Sequence, residues 1–162
     1  DEQLSLLEGN LMETNQTIVD IYSRYLFETE VIDTRADHAM NVDELKDAML
    51  RAQEASYGDG LDPEIRHPYM WACKSHYYSS GYNFYNFPYA FGELFAKGVF
   101  AQYLQKGAAF VPDYCRLLRS CGSGTIADVA ASVGIDVRNP DFWRSSLEVV
   151  KGNIDKFCEL VK

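Results

Sequence analysis

The chain has 162 residues, enough for one domain or one large subdomain whose core needs no disulfide or metal staple. Its 15 Lys and Arg against 24 Asp and Glu leave a formal net charge of −9, and no basic stripe exists to displace counterions from phosphates, which argues against nucleic acid as a partner. No apolar run approaches the roughly 18 residues of a membrane span, and 47% hydrophobic content, evenly spread, is that of a folded chain rather than a disordered one.

Residue 1 is Asp1, not Met, and no signal-peptide pattern follows it, so the chain reads as a piece of something longer that opens inside a helix. Leu4, Leu7, Leu11, Ile18, Ile21, Tyr22 and Tyr25 recur at helical steps and predict a first helix to about Val31. Asp33 to Asp37 is a polar interruption. Asn41 with Glu44 has capping-box spacing and opens a second helix through Gln53 and Ala55, which the Gly58-Asp59-Gly60 breakers end. From Pro68 to Tyr89 aromatics are dense around a Ser79-Ser80-Gly81 break. Further helices are predicted from about Pro88 to Gln105, Phe110 to Ser120, Thr125 to Val133, and from the Asn139-Pro140 start to about Leu160. No strand alternation is found. The fold class is all-α.

His38, His67 and His76 invite a metal hypothesis, yet none stands in H-E-x-x-H, so a complete metal site within the chain is not expected. The cysteines Cys73, Cys115, Cys121 and Cys158 form no C-x-x-C pair and read as reduced thiols of a cytoplasmic protein. Buried packing is expected for the last three; Cys73, three residues before His76, is the one with a neighbouring base.

The segment with most chemical content runs from Lys74 to Gly92. If its second half is helical, Tyr82, Tyr85 and Tyr89 share one face, and Phe84, Phe87, Phe91 and Phe95 share another as a core stripe. For the tyrosines two readings stand. One is an ordinary core whose hydroxyls are satisfied by backbone or water. The other is a cluster of donors: a phenol keeps its proton at neutral pH and can stabilise an oxyanion, as can a histidine. Pro88 either starts or kinks the helix, and the Ser79-Ser80-Gly81 break allows the segment to fold over a peptide.

His76-Tyr77-Tyr78 followed by Asn83-Phe84-Tyr85-Asn86-Phe87-Pro88-Tyr89-Ala90-Phe91-Gly92 resembles the oligoendopeptidase F branch of the thimet oligopeptidase family, zinc metallopeptidases acting on short peptides. Thr17 to Glu28, Gln53 to Leu61, His67-Pro68-Tyr69-Met70-Trp71 and Gly134-Ile135-Asp136-Val137 with Phe142-Trp143 extend the likeness over essentially the whole chain. The resemblance implies that residues 1–162 are the C-terminal helical part of a zincin-like catalytic domain. It assigns substrate contact to His76, a place in the same flexible segment to Tyr85, and scissile-carbonyl hydrogen bonding to Tyr82 and Tyr89 as candidates, so that His76 with one or two of Tyr82, Tyr85 and Tyr89 is expected to stabilise the oxyanion and hold the peptide backbone. The family's H-E-x-x-H and third zinc-ligand Glu are absent and, by the likeness, lie upstream of Asp1. Glu28 and Glu30 fall after that ligand and read as helix-surface charges.

The resemblance thus implies zinc in the intact enzyme and none held by this chain, short peptides as substrates, and the missing N-terminal part as partner; alone, the chain should be inactive. The rival reading is a standalone helical module that binds a peptide or partner helix in a tyrosine-lined groove without catalysis. A homodimer through an apolar face of the first helix would be an artefact of truncation.

Overall fold

A computed structural model describes residues 2–162, which form seven α-helices and several short turns, with no strand among the described residues. The helices are α1 (Glu2–Asn15), α2 (Ile21–Thr34), α3 (Val42–Tyr57), α4 (Phe87–Lys106), α5 (Val111–Ser120), α6 (Ile126–Ala131) and α7 (Pro140–Leu160). The all-α expectation holds. Among the described residues no helix is long and apolar enough to cross a membrane. The chain divides into two compact units. One is Met12–Phe91; the other joins Gly92–Lys162 to the N-terminal residues up to Leu11.

In the Met12–Phe91 unit, the predicted first helix is continuous in path but not in register. Gln16–Asp20 makes a π-helical turn, where the Ile21 N–H reaches back five residues to the Gln16 carbonyl. The extra residue in that turn shifts every following side chain around the axis by about 100°. The Val19 carbonyl within this turn accepts from the Ser56 hydroxyl of α3.

The start of α3 is as the capping-box spacing predicts: Asn41 Oδ1 accepts from the Asp43 and Glu44 N–H groups at 2.9 and 3.0 Å, and Glu44 returns a bond to the Asn41 N–H at 2.7 Å. His38 of the polar interruption lies 2.9 Å from Glu44 on this exposed end. Gly58, with φ of 56°, ends the helix in a conformation that glycine adopts without strain. Helices α2 and α3 pack on one another through Phe27, Ala48, Met49 and Ala52, all buried. Trp71 and Tyr77 close this core from the aromatic segment, their rings 6.4 and 5.4 Å from Phe27.

Buried Gln53 fixes the His67-Pro68 loop to α3. Its Oε1 accepts from the His67 N–H at 3.0 Å and its Nε2 donates to the His67 carbonyl at 2.9 Å, so a side-chain amide plays the part of a neighbouring strand. The His67 ring is taken up locally, with Nδ1 accepting from the Tyr69 N–H at 3.1 Å.

The second unit has its own core of Val99, Phe110, Leu117, Ala130, Ile135 and Phe142 among others. Helix α7 starts at Asn139, whose Oδ1 accepts from the Asp141 N–H at 2.9 Å, with Pro140 in the first turn. Helices α4 and α7 meet at Gly98, where an added Cβ would stand 2.5 Å from the Phe142 ring and 2.7 Å from Ser146 Oγ. The cysteines do not follow expectation: Cys115 is half-buried, and Cys121 and Cys158 are exposed, as is Cys73. Burial of a small thiol depends on which helix face the tertiary packing covers, and the sequence left that open.

Candidate functional site

The aromatic segment is not helical over its whole length. Residues 79–86 run as overlapping turns, in which the Tyr82 N–H reaches Ser79, that of Tyr85 reaches Tyr82, and that of Phe87 reaches Phe84; α4 begins only at Phe87. The expected phenylalanine stripe therefore breaks. Phe87 is 60% exposed, and Phe84 lies in a turn with its ring 5.7 Å from Tyr25; Phe95, further along α4, packs against Phe142. The tyrosines come together all the same. The Tyr82 and Tyr85 rings meet edge-to-face at 5.2 Å, and Tyr85 and Tyr89 at 5.8 Å. The three are 53, 45 and 53% exposed, which removes the reading of an ordinary core stripe for this unit.

The neighbouring Tyr89 hydroxyl raises the Tyr85 pKa above its ordinary value.

His76 is half-buried, its ring tilted 50° against that of Tyr77 with centroids 4.2 Å apart. Its Nε2 is enclosed without a hydrogen-bond partner. Burial lowers its pKa, aided by Arg24 and Lys74 and opposed by Glu28, so the ring is neutral at pH 7. Tyr77 is structural: its hydroxyl donates to the Arg24 carbonyl at 3.2 Å, and burial, then the Glu28 charge, drives its pKa upward.

Beneath the segment lies a polar ridge that sequence reasoning missed. Asp20, Arg24 and Glu28 stand at i, i+4 and i+8 along the π turn and α2, so they share a face. Asp20 and Arg24 form an ion pair whose side chains are only 11 and 14% exposed. Tyr57 faces Asp20, and burial with that negative charge pushes its pKa up to about 12.

Glu28, expected as a surface charge, is 5% exposed. Its Oε1 accepts from the Phe84 N–H at 2.7 Å and its Oε2 from Asn86 Nδ2 at 3.2 Å. Phe84 holds φ of 54°, uncommon for any residue with a side chain and costing about 1–3 kcal/mol. The Glu28 bond and the Tyr25 contact hold it there. Glu30, by contrast, pairs with Arg51 near the surface, as expected. The available signal for Glu28 was its position: one residue after Phe27 and seven after Ile21, it continues a buried stripe.

Among the described residues no three of His, Cys, Asp or Glu are grouped so as to hold a metal ion. The donor set here, phenols, one neutral imidazole and a carboxylate already engaged by two N–H donors, does not fit a zinc centre. What it offers is a row of O–H and N–H donors on an aromatic surface, suited to the carbonyl oxygens of an extended peptide.

No family model matches the chain, and no solved structure matches it significantly. Over 105 residues it is 27% identical to Oligopeptidase PepF of Bacillus subtilis, an alignment that covers 65% of this chain and 15% of that protein. The chain thus spans a small part of the curated relative it matches.

Proposed function

We propose that this chain is the C-terminal helical part of a cytoplasmic zinc oligopeptidase and supplies the surface that holds a short peptide during cleavage. The observation that carries the reading is the exposed row of Tyr82, Tyr85 and Tyr89, whose rings meet edge-to-face. The likeness to a peptidase supports it. In this reading the metal and the general base belong to residues outside the chain, on the remaining part of the same protein.

Each residue then has a task. The Tyr89 and Tyr82 hydroxyls donate to the scissile carbonyl oxygen as it gains charge, and Tyr85 aligns Tyr89. His76, neutral at pH 7, donates from one ring nitrogen to a peptide carbonyl. The aromatic faces cover the peptide backbone and thin the water around it, which strengthens each of those bonds.

The reading frame upstream of Asp1 is the first check: an H-E-x-x-H followed by a helical Glu supports the proposal. In the zinc-bearing protein, Tyr89→Phe and His76→Ala should each lower kcat/KM for a short peptide by on the order of 100-fold, mostly through kcat, as removal of an oxyanion donor does. Unchanged kcat/KM in both variants refutes the assignment. A frame without such a motif, joined to peptide binding by the chain itself, favours a non-catalytic peptide-binding module.

A further inference from the structure

The geometry points to Glu28 as the positioning residue of the tyrosine row: its buried carboxylate ties the turn at Phe84 and Asn86 to α2 and thereby sets where Tyr82, Tyr85 and Tyr89 stand.

A carboxylate is costly to bury unless donors meet its oxygens, and here each oxygen meets one. Oε1 takes the Phe84 N–H at 2.7 Å and Oε2 takes Asn86 Nδ2 at 3.2 Å. Asn86 is itself only 3% exposed, so its amide is not available to water as an alternative. The two donors sit two residues apart, on either side of Tyr85, and a single carboxylate bridges them. The ring of Tyr85 is thus fixed at its own backbone, and its edge-to-face contacts with Tyr82 and Tyr89 carry that placement to both neighbours.

The tie explains the backbone as well. Phe84 has φ of 54°, a region that a bulky residue leaves when nothing holds it. Turning the Phe84 peptide towards ordinary φ would swing its N–H away from Oε1. A short, charge-assisted bond within a low-dielectric interior opposes that rotation. A sheet ladder or helix could have supplied such order, but residues 79–86 have only successive single turns. The long-range side-chain tie stands in for the missing regular structure.

Glu28 also lies close enough to His76 for its charge to favour the protonated imidazole. One carboxylate therefore acts on both halves of the segment, through hydrogen bonds on the tyrosine half and through charge on the histidine half. For its bearing on peptide binding this inference rests on the proposed function; the placement of the rings does not depend on it.

The test compares Glu28→Ala, Glu28→Gln and Asn86→Ala in the full chain. It reads amide exchange at Phe84, nuclear Overhauser contacts among the three tyrosine rings, and affinity for the capped peptide acetyl-Ala-Ala-Phe-Ala-Ala-amide. In Glu28→Ala, exchange at Phe84 should accelerate about tenfold or more, and the Tyr82–Tyr85 contact should vanish while Met49 and its α3 neighbours keep their protection. Glu28→Gln keeps an acceptor for the Phe84 N–H, and Asn86 can turn its oxygen towards the new amide, so this variant should restore both signals. Peptide affinity should follow the ring contacts across the series, falling in Glu28→Ala and recovering in Glu28→Gln. If Glu28→Ala unfolds, Asn86→Ala decides, since it cuts one tie without touching α2. Unchanged ring contacts in Asn86→Ala in that event, or surviving Phe84 protection in a folded Glu28→Ala, overturn the proposal. A native chain that fails to bind the peptide overturns the peptide-holding function alone, because the ring contacts still judge Glu28.

Discussion

At the scale of single residues, the ridge on α2 sets what the fold tolerates. Asp20 and Arg24 are paired and largely out of water, yet Asp20 Oδ1 and Arg24 Nε have no hydrogen-bond partner. Removing one member leaves the other charge buried and uncompensated, whereas replacing both removes the cost together with the gain. Arg24→Ala should therefore lower the stability of the Met12–Phe91 unit by about 3 kcal/mol. The double variant Asp20→Leu with Arg24→Met should recover most of that loss in urea unfolding. His76 gives a different signature. Its folded pKa lies below the ordinary 6.5, with burial as the main cause. The unfolded chain takes up the proton first as pH falls. Stability from this group is full above about pH 6.5 and declines as pH drops from there towards the folded value. Urea midpoints measured between pH 7.5 and about pH 5 should fall, and His76→Gln should flatten the part of the curve that His76 causes.

At the scale of elements, what could be read from the sequence was what adjacent residues decide. Asn41 with Glu44 and Asn139 with Pro140 place helix starts because a cap is made within three residues of its own position. The donor row Tyr82, Tyr85 and Tyr89 was legible as residues, though the rings meet through turns and not along the helix that periodicity suggested. Three features escaped. The π turn at Gln16–Asp20 carries no local breaker that would announce it. The burial of Glu28 needs donors 56 and 58 residues away. The exposure of Phe87 follows from α4 starting at that residue. The burial of Glu28 was settled by partners distant in sequence, where periodicity carries no information. The approach of α4 to α7 at Gly98 is of the same kind, and it can be tested sharply. A Cβ there would sit 2.5 Å from the Phe142 ring and 2.7 Å from Ser146 Oγ. Alanine normally gains about 1 kcal/mol over glycine inside a helix, but here overpacking costs about 1–3 kcal/mol. Gly98→Ala should accordingly fail to stabilise and should lower Tm. A raised Tm would mean that the two helices part easily.

At the scale of the whole molecule, two cores share one chain, and the candidate site belongs to only one of them. His76, Tyr82, Tyr85 and Tyr89 all fall within Met12–Phe91, as do Glu28 and Asn86. Phe110, 1% exposed, is central to the other core, and Met49, fully buried, to this one. Truncating either costs about 2–5 kcal/mol in a well-packed interior. Proteins open in cooperative blocks that follow their packing units, so the loss should be felt first in the block that holds the substitution. Phe110→Ala should speed amide exchange most in α5 and α7, while Met49→Ala should do so in α2, α3 and at Phe84. The functional consequence separates the two. Because the tyrosine row depends on α2 through Glu28, Met49→Ala should weaken binding of acetyl-Ala-Ala-Phe-Ala-Ala-amide, and Phe110→Ala should leave it near the native value at temperatures where both fold. Equal losses in the two variants would show that the peptide surface draws on both cores, and the assignment of the site to residues 12–91 would then fall.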